Sequence, residues 1–268
     1  MEILVKKADG RKEAFDSKKI VDTCIRAGLS RRAAEGVLKK VLPTLYDGIR
    51  THDIYRMVLM ELERKEDKSS LLFRLREAVS QMPADQFEIY VKKILESSGY
   101  KCKWNTLIEG KFVEHQIDII AEKAGRKYLV ECKHHINPHR FCGLGIVLQV
   151  QARLDDIKEG FKERKNSFDF YKAWVITNTK FSEHAKAYAE GKSMMLSGWK
   201  YKSNISMENM IQEKRLYPIS ILISDKAAKK KMFDGGILTI QDMMPADISW
   251  MDKKTADYVK NQAKILLR

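Results

Sequence analysis

Asp118, Glu131 and Lys133 are charged residues within otherwise apolar, strand-like segments. Side chains alternate along a strand, so Glu131 and Lys133 share one face. If Ala124 and Gly125 form a two-residue hairpin turn, the register puts Asp118 directly opposite Glu131. Opposed carboxylates repel unless a cation neutralises them, and Mg²⁺ binds one or two carboxylates together with phosphate oxygens. The pattern therefore predicts metal-assisted hydrolysis of a phosphate ester, in which Lys133 orients or deprotonates the attacking water or offsets transition-state charge.

The same three residues also fit a surface ion-pair cluster on a half-exposed sheet. The neighbouring positions favour the chemical interpretation, because continuous apolar runs indicate strands buried on both faces. These apolar neighbours are Ile117, Ile119, Ile120, Leu129 and Val130.

The segments around these residues alternate between helical and strand-like patterns. A helix is predicted for "ADQFEIYVKKILESSG", followed by strands at "YKCKWNTL", "FVEHQIDIIAEK" and "KYLVECK". A helix at "LGIVLQVQARLDDIKEGFKER", a strand at "YKAWVITN" and a helix at "SEHAKAYAEGK" come next. This order predicts an α/β fold in which helices flank a central sheet.

Gln116-Ile117-Asp118, followed by Glu131-Cys132-Lys133, resembles the PD-(D/E)xK signature of the Mrr-type restriction endonuclease family. The resemblance covers about residues 84 to 200, and it includes the helix "ADQFEIYVKKILESSGYK" and the later segment "VITNTKFSEHAKAYAEGKSMML". It implies a restriction-endonuclease-like central mixed sheet flanked by helices. It also implies a type IV-like, metal-dependent phosphodiesterase that acts on DNA.

The resemblance assigns roles to particular residues. Asp118 and Glu131 would hold Mg²⁺ or Mn²⁺, and Lys133 would complete the catalytic core. Glu88, on the preceding helix, matches an acidic position of the family and would be a further metal ligand or a positioning group.

Members of this family often place a glutamine near the active site. Gln116 precedes the aspartate, and Gln149 and Gln151 lie on the following predicted helix. Residues two apart on a helix face different ways, so only one of that helix pair could serve. Gln151 aligns slightly better and is the predicted catalytic residue, although surface or capping roles fit both glutamines equally well.

A zinc site is an alternative use of the "CKHHINPHRFC" segment. Its cysteines and histidines are ligands of the type that zinc prefers. However, Cys132 should point away from the face that carries Glu131, and the spacing matches no standard finger. We therefore expect the histidines and Arg140 to lie at the rim of the active site, in contact with phosphate or solvent.

The N-terminal segment combines a hairpin pattern at "ILVKKADGRKEAFD" with several amphipathic helical stretches. "VKKADGRKEAFDSKKI" followed by "YDGIRTHDI" resembles the ATP-cone, a regulatory nucleotide-binding domain. The resemblance spans about residues 3 to 80 and implies ATP or dATP bound between hairpin and helices, although Tyr55 stands where the family often has histidine. The residues implied to line the nucleotide site are Val5, Lys7, Glu13, Asp16, Lys19 and Thr51.

A small α/β module with a solvated basic hairpin is the alternative for this N-terminal segment. Nucleotide binding is favoured because a lysine pair beside a hairpin can neutralise a triphosphate. The chain has no G-x-x-x-x-G-K-[ST] loop, so a P-loop ATPase is not predicted.

The C-terminal segment is predicted to be mostly helical. "DKAAKKKMFDGGILTIQDMM" faintly resembles a helix-hairpin-helix, whose turn binds DNA phosphate through backbone N–H groups. A plain helical subdomain that completes the core is an equally good interpretation.

Composition restricts the partners. The formal net charge is +14, from 50 Lys and Arg against 36 Asp and Glu, which favours a polyanionic partner. No apolar run reaches the roughly 18 residues that a membrane span needs, so no membrane association is predicted. The four cysteines form no C-x-x-C pair, and a reducing cytoplasm is the expected compartment.

The sequence thus predicts an N-terminal ATP-cone over 1–80, a catalytic domain over 81–205 and a helical, DNA-binding domain over 206–268. The predicted function is a metal-dependent DNA endonuclease regulated by ATP or dATP. A homodimer is compatible with it, since double-strand cleavage needs two active sites. The alternative is a nucleotide-responsive DNA-binding regulator in which the nuclease fold is catalytically silent.

Overall fold

The computed structural model describes residues 3–7, 10–64, 68–202 and 205–267. The chain forms two compact units, the first from Met1–Leu75 with Asp252–Arg268 and the second from Arg76–Met251. The structure therefore divides the region that was predicted as a separate helical domain: its last segment belongs to the first unit, and the remainder belongs to the second.

The secondary structure alternates as the sequence pattern predicts. In chain order the strands are β1 (Leu4–Lys6), β2 (Lys12–Ala14), β3 (Ile49–Arg50), β4 (Lys101–Glu109), β5 (Glu114–Lys123), β6 (Arg126–Lys133), β7 (Phe141–Cys142), β8 (Phe170–Thr177), β9 (Lys180–Phe181) and β10 (Met195–Ser197). The helices are α1 (Ser17–Arg26), α2 (Arg31–Val41), α3 (Thr51–Glu63), α4 (Lys68–Phe73), α5 (Leu75–Ser80), α6 (Ala84–Ser97), α7 (Leu144–Lys162), α8 (Glu183–Gly191), α9 (Met207–Lys214), α10 (Lys226–Asp234), α11 (Ile240–Met243) and α12 (Lys253–Leu267).

The first unit is a small helical module with a short sheet. Strand β1 pairs antiparallel with β2 and parallel with β3. Asp16 begins α1, because its carboxylate accepts a hydrogen bond from the backbone N of Lys18 at 2.9 Å. The apolar faces of α1, α2 and α3 meet in a core that includes Val21, Val37 and Val58.

The second unit is built on a five-stranded mixed sheet of order β10-β8-β6-β5-β4. The pairs β4–β5 and β5–β6 are antiparallel, whereas β6–β8 and β8–β10 are parallel. Helix α6 contacts β4, β5 and β6, and α7 contacts β4, β8 and α8. The predicted α/β fold, a central mixed sheet flanked by helices with a small hairpin module and a helical C-terminal part, is confirmed.

The β5–β6 hairpin has the register that the sequence predicts. Ala124 and Gly125 have φ of 51° and 73°, as a two-residue type I′ turn requires at both positions. The Cα pairs run from Lys123–Arg126 to Ile119–Val130. The next positions along this register are Asp118 and Glu131.

Residues 206–251 are attached to the second unit through polar contacts as well as apolar packing. The Tyr90 hydroxyl donates to the carbonyl of Leu216 at 2.6 Å, and Lys93 pairs with Asp242 at 2.7 Å. Asp242 also closes a capping box with Thr239 at the start of α11. No helix among the described residues is long and apolar enough to cross a membrane.

Candidate active site and nucleotide cavity

The predicted catalytic residues lie on adjacent strands. Asp118 is on β5, and Glu131 and Lys133 are on β6. The backbone N of Cys132 donates to Oδ2 of Asp118 at 2.7 Å. This bond fixes the aspartate carboxylate across the hairpin, beside the strand position that follows Glu131.

Three carboxylates of the site have raised pKa values. Burial raises the pKa of Asp118, although the Cys132 amide, Arg153 and Lys133 oppose it. Burial also raises the pKa of Glu131, and the negative charge of Asp118 adds to the effect. The pKa of Glu88 is raised by burial against a hydrogen bond from Trp104, and again Asp118 adds to it. Asp118 is therefore close enough to repel both Glu131 and Glu88.

Arg153 is the residue of this site that the sequence analysis did not identify. It lies on α7, and its Nη1 donates to Oε2 of Glu131 in an ion pair that is only partly exposed. The sequence feature that could have identified Arg153 is its position one helical turn after Gln149 on the predicted helix. That spacing does not say which face of the helix turns toward the sheet.

Several polar atoms of the site remain available. Among the described residues, the hydrogen bonds of Asp118 and Glu131 use Oδ2 and Oε2, and the second oxygen of each carboxylate makes none. Lys133 forms neither a hydrogen bond nor an ion pair in that part of the chain, although its charge lowers the pKa of both acids. The arrangement can bind a hard cation and a phosphate oxygen.

Glu88 and the three candidate glutamines differ in their surroundings. On α6, Glu88 accepts a hydrogen bond from the Trp104 indole N at 3.0 Å. Gln116 donates to Oδ1 of Asn105 at 2.7 Å. Gln151 is 8% exposed and donates to Asp155, its neighbour on α7.

Gln149 lies on a different side of α7 from Gln151. It lines an open cleft together with Arg153, one helical turn away, whereas Gln151 does not. The predicted role of Gln151 remains a prediction, and the geometry makes Gln149 a competing candidate. The cleft is lined by Phe112, Val113, His115, Gln149, Ala152, Arg153 and Asp156.

The histidines after β6 serve to hold their loop in place. The His134 ring contacts Phe87 and lies 3.3 Å from the carbonyl of Val79. The backbone of His135 exchanges two hydrogen bonds with the Asn178 side chain, at 2.9 and 2.8 Å. Burial lowers the pKa of both rings. The described residues contain no group of three or more His, Cys, Asp or Glu side chains arranged to hold a metal ion.

The cysteines flanking this loop are thiols. Burial raises the pKa of Cys142 to about 11 and also raises the pKa of Cys132 well above its ordinary value, so both stay protonated at neutral pH. A thiol in this state is a poor zinc ligand.

The first unit contains a cavity of about 190 Å³ bounded by β1, α1, α3 and α4. Its inner wall is apolar, and the rings of Tyr55 and Phe73 stack at 4.8 Å there. Five of the six residues implied by the ATP-cone resemblance lie in its wall: Val5, Lys7, Asp16, Lys19 and Thr51. The cavity thus places the cations of Lys7 and Lys19 beside an apolar pocket.

Glu13, the sixth residue, is placed differently. Its carboxylate pairs with Lys7 at 3.1 Å and with Lys19 at 3.2 Å. Hydrogen bonds from these lysines lower its pKa, so it stays ionised. Glu13 therefore bridges the two cations at the mouth of the cavity.

The fold and the site define this chain as a nuclease-type α/β protein with an attached nucleotide-binding module. Comparison with protein families agrees: the model described as "Restriction endonuclease", of the Mrr type, matches residues 79–198, and the model described as "ATP cone domain" matches residues 3–76. The chain belongs to the Mrr-type restriction endonuclease family, with an ATP-cone at its N-terminus.

Two relatives and one solved structure are similar to this chain. An uncharacterized protein of Archaeoglobus fulgidus is 33% identical over 181 residues, which are 65% of this chain and 98% of the relative. A second uncharacterized protein of that organism is 51% identical over 37 residues, 14% of this chain and 79% of the relative. The chain is also similar to the crystal structure of AF1548, a protein of unknown function, with 30% sequence identity and a TM-score of 0.52. The match covers 69% of this chain and 95% of the AF1548 chain.

Proposed function

We propose that this chain is a Mg²⁺- or Mn²⁺-dependent DNA endonuclease whose activity responds to ATP or dATP bound in the first unit. The observation that carries the proposal is the half-buried carboxylate pair Asp118 and Glu131 beside Lys133, a cation that has no partner among the described residues. The net charge of +14 supports a polyanionic substrate.

The residues present fit a divalent cation. Asp118 and Glu131 each keep one oxygen outside the hydrogen bonds described above, and burial makes their combined negative charge costly without a counter-ion. These two carboxylates would hold the metal, with Glu88 close enough to interact with Asp118. When bound, such a metal lowers the pKa of a water molecule and offsets charge on the phosphate.

The protein's own residues then have distinct tasks. The Cys132 amide holds Asp118 in orientation, and Arg153 holds Glu131. Lys133 is free to donate to a phosphate oxygen or to the attacking water. Because its positive charge lies close enough to lower the pKa of Asp118 and Glu131, it would also offset negative charge as that charge develops in the transition state.

The test is a cleavage panel of duplex, single-stranded, branched and methylated DNA, with Mg²⁺ or Mn²⁺, with and without ATP. Asp118→Asn, Glu131→Gln and Lys133→Met should each lower the cleavage rate by about 100-fold or more, since each removes a group from the reacting centre. Glu114→Gln is the matched control, because Glu114 is an exposed carboxylate on the same strand as Asp118. It should cleave like the unmodified protein.

A silent regulator would give a different result. It would bind DNA with an affinity that ATP shifts, yet it would cut no substrate with either metal. That outcome would overturn the endonuclease proposal and favour the nucleotide-responsive regulator.

A further inference from the structure

The loop between β4 and β5 displays apolar side chains to solvent. Phe112 is 76% exposed and Val113 is 57% exposed at the tip of this loop. Exposed apolar tips are usually mobile, because few contacts order them. The backbone of this tip is instead held by polar contacts from α7 and from the segment that follows α7.

Asp156 of α7 is the centre of that fixation. Its Oδ1 accepts from the backbone N of Phe112 at 3.0 Å, and its Oδ2 lies 2.7 Å from Nε2 of His115. Its own carbonyl accepts from the backbone N of Lys111 at 3.0 Å. Burial raises the pKa of Asp156, but these hydrogen bonds outweigh burial and keep its pKa below the ordinary value.

The helix and the loop also approach closely. A Cβ on Gly160 of α7 would lie 2.7 Å from the carbonyl carbon of Gly110, so only glycine fits there. Lys165 donates to the carbonyl of Lys111, and Asn166 donates to the carbonyl of Glu109, both at 2.7 Å. The loop backbone is thus tied to α7 and to the segment after it, while the tip side chains remain outside.

The tip lies beside the candidate active site. Phe112 and Val113 line the same cleft as Arg153, whose guanidinium is bonded to Glu131. The Lys111 ammonium lies 5.1 Å from the centre of the Phe112 ring. That ammonium also pairs with Glu159 at 3.1 Å and with Glu163 at 3.3 Å. An exposed apolar surface and the polar side chain of Gln149 are therefore presented together in a cleft that reaches Arg153.

We propose that Phe112 and Val113 form an apolar wedge that stacks against an unpaired base of the DNA substrate, so that the protein selects DNA with unpaired bases near the cleaved bond. This inference rests on the proposed function. Bases present apolar faces only when they are unstacked, and aromatic side chains stack on them regardless of sequence. Because the cleft reaches Arg153, which is bonded to Glu131, an unpaired base on this tip would lie close to the residues proposed to cleave the strand.

The test measures DNA binding by the full-length protein without divalent metal, so that no strand is cut. One probe is a fluorescently labelled continuous duplex. The other is the same duplex with one unpaired nucleotide, whose base is 2-aminopurine so that its emission reports on stacking. The protein should bind the unpaired probe more tightly and change its emission. Phe112→Ala should raise the Kd for that probe by about tenfold, the usual cost of losing one aromatic stack, and should leave the Kd for the duplex within about twofold.

Two further variants separate stacking from general loss of apolar surface. Phe112→Trp keeps an aromatic ring and should retain the preference. Leu107→Ala removes a side chain of the same hairpin that is 60% exposed but does not line the cleft, and it should change neither Kd.

The outcomes distinguish this inference from the proposed function. Equal Kd values for both probes, or an unchanged preference in Phe112→Ala, would overturn the wedge while cleavage of DNA with Mg²⁺ still supported the endonuclease. A loss of affinity for both probes in Phe112→Ala would also overturn it. Failure to bind any DNA would contradict the proposed function itself and the wedge with it.

Discussion

At the scale of single residues, Glu131 lies near a negative side chain, Asp118, and a positive side chain, Arg153. Burial and the negative charge of Asp118 raise its pKa, whereas Arg153 lowers it through charge and a hydrogen bond. A carboxylate must lose its proton before it binds a metal ion. Arg153 therefore keeps Glu131 ready for metal at lower pH, although it occupies one oxygen of that side chain.

We expect Arg153→Met to shift the pH dependence of metal binding. Without the guanidinium, the pKa of Glu131 rises further, so the pH at which Mn²⁺ binding is half-maximal moves upward. Isothermal titration calorimetry over roughly pH 5 to pH 8 measures this shift. Arg153→Lys keeps the charge and should shift it less, and Lys162→Met, an exposed cation of the same helix, should not shift it. Coinciding profiles for Arg153→Met and the unmodified protein would contradict this role.

Asp118→Asn should stabilise the second unit in the absence of metal. The pKa of Asp118 is raised in the folded state, so the fold is most stable when this group is protonated. That stability is full below the unfolded pKa, about 3.9, and is lost as pH rises through the higher folded pKa. Asparagine is neutral, and its oxygen can still accept from the Cys132 amide.

Thermal unfolding with a chelator present tests this expectation. All four tryptophans lie in the second unit, so their fluorescence reports on it alone. The Tm of the unmodified protein should fall between about pH 4 and pH 7 more steeply than that of Asp118→Asn. Parallel curves for the two proteins would show that ionisation of Asp118 does not destabilise the fold. In a separate measurement, added Mg²⁺ should raise the Tm of the unmodified protein only.

At the scale of elements, the β5–β6 hairpin was predictable because its determinants are local. A turn with two positive-φ residues and the alternation of side chains fix which positions oppose each other. This was enough to bring Asp118 near Glu131. The six residues that the ATP-cone resemblance implies come from a hairpin–helix motif and, for Thr51, from a second short motif, and five of the six line one cavity.

The role of α7 was not predictable in the same way. Arg153 reaches Glu131, and Asp156 reaches the β4–β5 loop, only because of how the helix is rotated against the sheet. The helical period shows which residues share a face, but it does not show which loop that face meets. The choice between Gln149 and Gln151 depends on this rotation, and the catalytic role of Gln151 stays a prediction.

Gly160→Ala should destabilise the second unit. Alanine is normally the better helix former, yet here its methyl group would collide with the backbone of Gly110 and Lys111 at 2.7 and 2.9 Å. Overpacking of this kind costs about 1–3 kcal/mol. Gly145→Ala is the control on the same helix, because a Cβ there meets nothing within 4 Å and should be neutral or slightly stabilising. Urea unfolding followed by tryptophan fluorescence measures both, and equal stabilities would mean that the loop moves away freely.

At the scale of the whole molecule, the chain passes between the two units twice. It leaves the first unit after Leu75 and returns at Asp252. The returning helix α12 contacts α4, which carries Phe73 of the nucleotide cavity. The C-terminal helix thus completes the nucleotide-binding unit, so its removal should impair ATP binding before it impairs the nuclease fold.

Regulation of DNA binding by nucleotide requires that binding in one unit changes the free energy of binding in the other. If ATP changes the Kd for DNA by some factor, DNA must change the Kd for ATP by the same factor. We expect a factor of about 5 to 150, the usual range of coupling between sites. Fluorescence anisotropy with labelled DNA, and separately with a labelled ATP analogue, measures the two arms without divalent metal and therefore without cleavage.

Variants of the cavity residues test whether the effect of ATP on DNA binding arises from the cavity of the first unit. Lys7→Ala and Lys19→Ala remove the cations that Glu13 bridges, so each should weaken ATP binding and abolish the effect of ATP on the Kd for DNA, while the Kd without ATP stays unchanged. Lys18→Ala removes an exposed lysine that does not line the cavity and should leave both arms intact. If ATP still shifted DNA binding in Lys7→Ala and Lys19→Ala, the regulatory nucleotide would have to bind elsewhere. If the unmodified protein bound ATP with no change in DNA affinity, regulation by ATP would have to act on the cleavage step alone. The reciprocity applies only to equilibrium binding, so it would not exclude such regulation.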